Sequence, residues 1–225
     1  MESNIEVMNK IIAFANQKGG VGKTTLSILF ANYLVKKQKK VVLLDADNQH
    51  SSSAVRKDDE EFISRPAPYA VQEVKLTDGD YVEKLMANAR QFDGVVIIDC
   101  PGSLSDEGIV EVFSNADTVV IPFEFEDISM KATTDFIRVL NNIKIKYGYK
   151  CQLLIIPNKV QLSFGTAADI ASWKTALSSY TIAGKVLPKV VHRAQLKRID
   201  TYSITPAQIE VVKDTFDRII TEAGI

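Results

Sequence analysis

The chain has 225 residues and carries 27 Lys and Arg against 28 Asp and Glu, a net charge of −1. At about 150 residues per domain this makes one large domain or two small ones, long enough to bury a core without disulfides. Hydrophobic residues at 46% and charged residues at 24% exclude a disordered, collagenous or coiled-coil chain, and the balanced charge leaves any affinity for polyanions to a local patch. Cys100 and Cys151 have neither CxxC spacing nor a nearby histidine, so no zinc site or disulfide framework is expected and the cytoplasm is the default compartment. Met1 to Lys10 carries Glu2 and Glu6 without an apolar core, and no 18 consecutive apolar residues occur, so neither a leader nor a membrane span is expected.

In chain order, strands are expected at Ile11 to Ala15, Val41 to Asp45, Ala70 to Val74, Val95 to Asp99, Thr118 to Pro122, Leu153 to Pro157 and Gly184 to Leu187. Several are continuous Val/Ile/Leu runs, which suit strands buried on both faces. Helical periods fall between them, at Lys23 to Lys37, Thr77 to Arg90, Ser105 to Asn115, Ser129 to Tyr147, Ala167 to Leu177 and Pro206 to Ala223. Phe136, Leu140 and Ile143 form one apolar stripe of the fourth helix. The acidic run Asp58 to Glu61 reads as a solvated loop, and no linker or repeat interrupts the pattern. The expectation is one α/β domain over 1–225, a doubly wound and mainly parallel sheet with helices on both faces. Only about ten residues precede the first strand, too few for a helix-turn-helix unit.

Directly after the first strand stands Asn16-Gln17-Lys18-Gly19-Gly20-Val21-Gly22-Lys23-Thr24-Thr25, and a helical pattern follows at once. Glycines let backbone N–H groups converge on a polyphosphate, and the helix N-terminus adds partial positive charge. In such a loop Lys23 reaches the β and γ phosphates and the Thr24 hydroxyl ligates Mg²⁺. The strict pattern G-x-x-x-x-G-K-[ST] fails at Gln17, while an extra lysine, Lys18, opens the loop. Asp45, Asp47 and Asp99 stand at or just past the ends of two further strands, the edge where open α/β sheets bind ligands. A strand-end aspartate alone often does no more than cap the next turn or helix.

Lys18 to Thr25 resembles the deviant Walker A loop of the ParA/MinD family of ATPases, and Asp45-Ala46-Asp47-Asn48-Gln49 looks like that family's Asp-x-Asp-Pro-Gln signature with Asn48 in place of proline. The resemblance implies a P-loop fold that binds ATP and Mg²⁺. It makes Asp47 the residue that positions or activates the attacking water, and Asp45 a support of the magnesium shell. Val95 to Asp99 has the form of a Walker B strand, with Asp99 accepting from a magnesium-bound water, and Gly102 replaces the second of two usual prolines. The resemblance also implies that Lys18 reaches the nucleotide of a second subunit. In the second half, Asn158 resembles the asparagine that meets the adenine edge, and Leu187-Pro188-Lys189 the segment that closes over the base. Asn158 equally suits a simple turn after a strand.

Lys185, Lys189, Arg193, Lys197 and Arg198 lie within fourteen residues that contain no acid. If Val190 to Ile199 is helical, Lys189, Arg193 and Lys197 form one ridge that meets a phosphate backbone; a solvated helix face is the plain alternative. The family resemblance implies an ATP-dependent homodimer, non-specific DNA binding and a ParB-like centromere-binding or other stimulating partner, hence a cytoplasmic, nucleoid-associated ATPase that segregates or positions DNA. A MinD-like membrane switch and a metabolic enzyme on the same scaffold are the alternatives. Pro206 to Ile225 mixes acidic with basic residues, unlike a helix lying on anionic lipid, so no membrane partner is expected.

Overall fold

The computed structural model describes residues 9–161 and 165–225. Residues 1–8, part of the segment read for a leader, lie outside it. The elements run β1 (Asn9–Phe14), α1 (Lys23–Lys36), β2 (Val41–Asp45), α2 (Ser51–Phe62), β3 (Ala70–Glu73), α3 (Gly79–Ala89), β4 (Gly94–Asp99), α4 (Ile109–Asn115), β5 (Thr118–Phe123), α5 (Asp127–Tyr147), β6 (Gln152–Pro157), α6 (Ala167–Ala183), β7 (Lys185–Val186), a 3-10 turn (Ala194–Lys197) and α7 (Pro206–Ala223). The strands form one sheet in the order β3-β2-β4-β1-β5-β6-β7, and all the pairings are parallel.

The continuous apolar runs are buried on both faces, as parallel strands covered by helices must be. Ile11, Ala13, Val96, Ile98, Val119 and Ile121 point into a core closed by α3, α4, α5 and α6. Ile12, Phe14, Val95, Ile97 and Val120 point the other way, against α1 and α7. There Phe30 and Tyr33 of α1 meet the Phe216 ring edge-on at 5.1 and 5.5 Å between centroids. The stripe expected on α5 is present, with Phe136 and Leu140 buried and Ile143 packed against them. Thr205 and Gln208 make a reciprocal cap for α7 with Pro206 in its first turn, so this helix starts where local chemistry dictates.

Two expectations fail. Asp58 to Glu61 is not a loop but the last full turn of α2, a helix without an apolar stripe to announce it. Val190 to Ile199 is not a helix. The amides of Val190 and His192 pair in extended fashion with the carbonyls of Pro157 and Val160, and only Ala194–Lys197 coils, as a single 3-10 turn. Lys189, Arg193 and Lys197 therefore do not form a helical ridge, although all three are exposed.

Candidate functional site

The loop at 15–22 leaves β1 at the centre of the sheet and enters α1 through Gly22, whose φ of 96° is left-handed. A β-carbon at Gly22 would also run into the Asn158 amide, so glycine is required there twice over. No side chain caps α1. Its first N–H groups remain available to an anion, which the helix dipole also favours.

Three polar side chains hold this loop in place. Asn16 fixes its entry, Nδ2 donating to the Pro122 carbonyl at 2.9 Å and the Thr133 hydroxyl at 2.8 Å while Oδ1 accepts the Lys18 N–H at 3.1 Å. Lys159 donates to the Gly20 carbonyl and pairs with Glu124 at 2.8 Å. Asn158 Nδ2 donates to the Val21 carbonyl at 2.7 Å. Sequence reasoning missed Asn16 and Lys159, whose only signal was standing next to quoted motifs. It found Asn158, but the donor end of that amide is engaged by the loop itself, leaving Oδ1 as the end that can face a ligand.

Two cavities flank the loop and share Gly22 and Thr25. One, of about 320 Å³, brings Gly19, Gly20, Lys23, Thr24 and Asp47 together with Gly102. The other, of about 310 Å³, is walled by Asn158, Lys159, His192, Arg193, Leu196 and Lys197. Pro188 lines neither: its carbonyl accepts from Thr215 at 2.9 Å, and it borders a separate concavity with Lys185 and Asp214. The wall expected of Pro188 is made by His192 to Lys197 instead, because the chain pairs with β6 and Val160 before it turns. The Lys18 side chain also lines neither cavity and is half-buried at the loop entrance.

Asp45 and Asp99 end the adjacent strands β2 and β4 in register and are fully buried. Asp45 Oδ2 accepts the Ser53 N–H at 2.7 Å and Asp99 Oδ2 accepts the Ser52 hydroxyl at 2.7 Å. Among the described residues the second oxygen of each, Oδ1, is buried without a geometrically formed hydrogen bond, although the Thr24 hydroxyl is near enough to Asp99 to act on its carboxyl. Burial pushes the Asp99 carboxyl up to about 7, opposed by the Ser52 and Thr24 hydroxyls and the Lys23 ammonium and reinforced by Asp45. Asp47 lies two residues beyond, half-buried, with Oδ1 accepting the Gln49 N–H at 3.1 Å. Cys100 is also buried, and burial pushes its thiol far up, so it is no thiolate nucleophile. Of the basic residues, Arg193 and Lys197 face the 310 Å³ cavity, Lys185 pairs with Glu222 at 2.6 Å, and Lys189 and Arg198 are exposed.

The chain is similar in sequence and in fold to known proteins. A chromosome-partitioning ATPase, Soj, of Treponema pallidum is 28% identical over 169 residues, 61% of this chain and 66% of that protein, so the chain spans just under two thirds of that relative's length. In fold the chain matches apo McdA of Cyanothece (TM-score 0.74, 16% identity, 94% of this chain and 100% of that one). It also matches a plasmid partition protein of Borrelia burgdorferi bound to AMPPNP (TM-score 0.71, 17% identity, 95% and 99%). The family model for the CobQ/CobB/MinD/ParA nucleotide binding domain matches residues 12–206, from within β1 to the start of α7. With its glycine loop, paired strand-end aspartates and all-parallel sheet, the chain belongs to this ParA/MinD family and stands close to the ParA-type partition ATPases.

Proposed function

We propose that this chain is a Mg²⁺-dependent ATPase of ParA type, which dimerises on ATP, binds DNA without regard to sequence and hydrolyses ATP slowly until a ParB-like or other partner stimulates it. One observation carries the reading: Lys23, Thr24 and Asp47 share a cavity beside two buried carboxylates that each keep an oxygen without a formed hydrogen bond among the described residues. Such a pair suits a hydrated divalent cation, which takes one or two carboxylates and fills its remaining positions with water and substrate phosphates. Thr24 would hold the cation directly, with Asp45 and Asp99 accepting from its waters; the ion supplies charge neutralisation on the phosphates. The N–H groups of Gly19 to Thr25 and the Lys23 ammonium bind and orient the polyphosphate. Asp47, which lines the same cavity, orients the attacking water. The neighbouring cavity is of a size and lining for the base, with Asn158 Oδ1 as an acceptor at its edge.

The placement of Lys18 outside both cavities supports a role toward the nucleotide of a second subunit, since Lys23 already serves the phosphates of its own chain. For DNA, exposed Lys189 and Arg198 are the simplest contacts, because Arg193 and Lys197 also border the base cavity and Lys185 is paired. A DNA surface is favoured over a lipid one by α7, whose Val212, Phe216 and Ile219 are spent inside the core. Among the described residues no helix is long and apolar enough to cross a membrane.

Calorimetry with ATP and Mg²⁺, followed by turnover with and without DNA, tests the reading. Lys23→Ala is expected to abolish ATP binding, while Asp47→Ala keeps binding and loses turnover by about a hundred-fold or more. ATP binding by Lys23→Ala at parental affinity overturns the assignment of the loop.

A further inference from the structure

Arg56 of α2 is 6% exposed, a buried cation with no carboxylate in direct contact among the described residues. Its guanidinium lies 5.0 Å from the centre of the Tyr69 ring and 5.3 Å from that of Tyr202. Nε donates to Thr201 Oγ1 at 2.7 Å, one terminal nitrogen to the Thr201 carbonyl at 3.1 Å and the other to the Tyr69 carbonyl at 2.7 Å. One helical turn on, Asp59 Oδ2 accepts both the N–H and the hydroxyl of Thr201, at 2.6 and 2.7 Å. α2 thus grips a single residue, fully buried Thr201, from two positions. Holding a charge in the interior is costly unless it is hydrogen-bonded, and here each of the three guanidinium nitrogens has an acceptor.

What Thr201 belongs to gives the grip its meaning. The stretch that walls the base cavity through His192, Arg193, Leu196 and Lys197 continues directly into Thr201. That stretch is pinned to α1 and α7 as well: Asn32 donates to the carbonyls of Asp200 and Ser203 at 2.6 and 2.7 Å, and Gln208 to those of Gln195 and Arg198 at 3.1 and 2.7 Å. At its other end α2 starts four residues past Asp47 and presents Ser52 to Asp99 and Ser53 to Asp45. Ser52, Ser53 and Arg56 are the buried residues of this helix. Its one apolar contact with the core is the partly buried Val55, so α2 takes much of its position from these polar contacts.

We propose that Arg56 is a positioning residue that couples the wall of the base cavity to the placement of Asp47, so that a nucleotide base, and not the phosphates alone, sets the helix that follows the water-positioning loop. The inference rests on the ATP reading above and deepens it. Arg56 touches neither cavity; it acts through Thr201 on one side and through α2 on the other.

Hydrogen exchange on the full chain, with ADP and with inorganic triphosphate as probes, tests it. In the parent, ADP slows exchange both at Gly19–Thr25 and over α2, whereas triphosphate slows it at Gly19–Thr25 with little effect on α2. In Arg56→Gln, ADP protects the loop as before but no longer α2; kcat for ATP falls by about ten-fold with KM changed by less than about two-fold, the pattern of a misplaced catalytic group. Thr201→Val, which removes the hydroxyl from the grip while preserving its volume, shows the same pattern more weakly and serves if Arg56→Gln does not fold. Loop protection by ADP without α2 protection in the parent, or α2 protection surviving in both variants, overturns the coupling alone. Absence of loop protection in the parent overturns the ATP reading and the coupling with it.

Discussion

Helices α1 and α2 begin alike and are held differently. Both follow a strand that leads into the candidate site, both start from a left-handed residue, Gly22 (φ 96°) and His50 (φ 48°), and neither has a side-chain cap. α1 then buries Leu26, Ile28, Leu29, Phe30 and Leu34 completely, whereas the buried residues of α2 are polar. Each fully buried large apolar side chain contributes about 1.5–3 kcal/mol, while a hydrogen bond contributes a net of about 0.5–1.5 kcal/mol. Helix α1 is therefore a fixed platform. The helix behind Asp47 is held by contacts to the carboxylates that a cation and its waters would also engage, so it is the element that ligand can move.

The sharpest way to break this contrast is to cut the same kind of ring from each helix. Phe30→Ala removes a ring packed between Phe14 and Phe216 and is expected to cost about 3–5 kcal/mol in chemical denaturation. A loss under about 1 kcal/mol would mean that burial is not what fixes α1. Ser52→Ala comes next. It leaves a second Asp99 oxygen buried without a partner and is expected to cost the metal-free protein about 1–3 kcal/mol. A neutral result would show that this hydroxyl does not hold α2. Ala54→Gly, on the exposed side of α2, should cost about 1 kcal/mol locally, read as faster amide exchange in α2 with α1 unchanged; equal changes in both would make them one cooperative unit. The smallest effect belongs to Phe62→Ser, at a ring that is 84% exposed, with a change within about 0.5 kcal/mol. A large loss there would reveal an apolar anchor for α2 and weaken the contrast directly.

The same physical difference decides what could be read from the sequence. Strand positions were legible because a buried parallel strand must be apolar throughout, and the glycine loop because phosphate binding demands particular residues at fixed spacing. α2 escaped notice because its positioning depends on partners far along the chain, such as Thr201 for Arg56, 145 residues away. Asn16, with Thr133 117 residues away, escaped for the same reason. The basic stretch misled in the opposite direction. Its charges recur at helical spacing, yet the amides of Val190 and His192 are taken by Pro157 and Val160, and Gln208 of α7 claims the carbonyls of Gln195 and Arg198. Local spacing carried no information about either competitor.

The place of β1 in the sheet bears on how the chain is made. β1 precedes its sheet neighbours by a long stretch of chain, since β4 and β5 begin at Gly94 and Thr118. Asn16 further needs Pro122 and Thr133 before the loop entrance closes. Such distant parallel pairings incur their loop-closure entropy before any contact rewards it, and they form slowly. On a ribosome the glycine loop therefore emerges long before the strands and side chains that hold its entrance, the last of them Thr133, 117 residues after Asn16. Nucleotide added to a refolding chain should accordingly slow unfolding of the finished protein while leaving the rate of reaching it nearly unchanged.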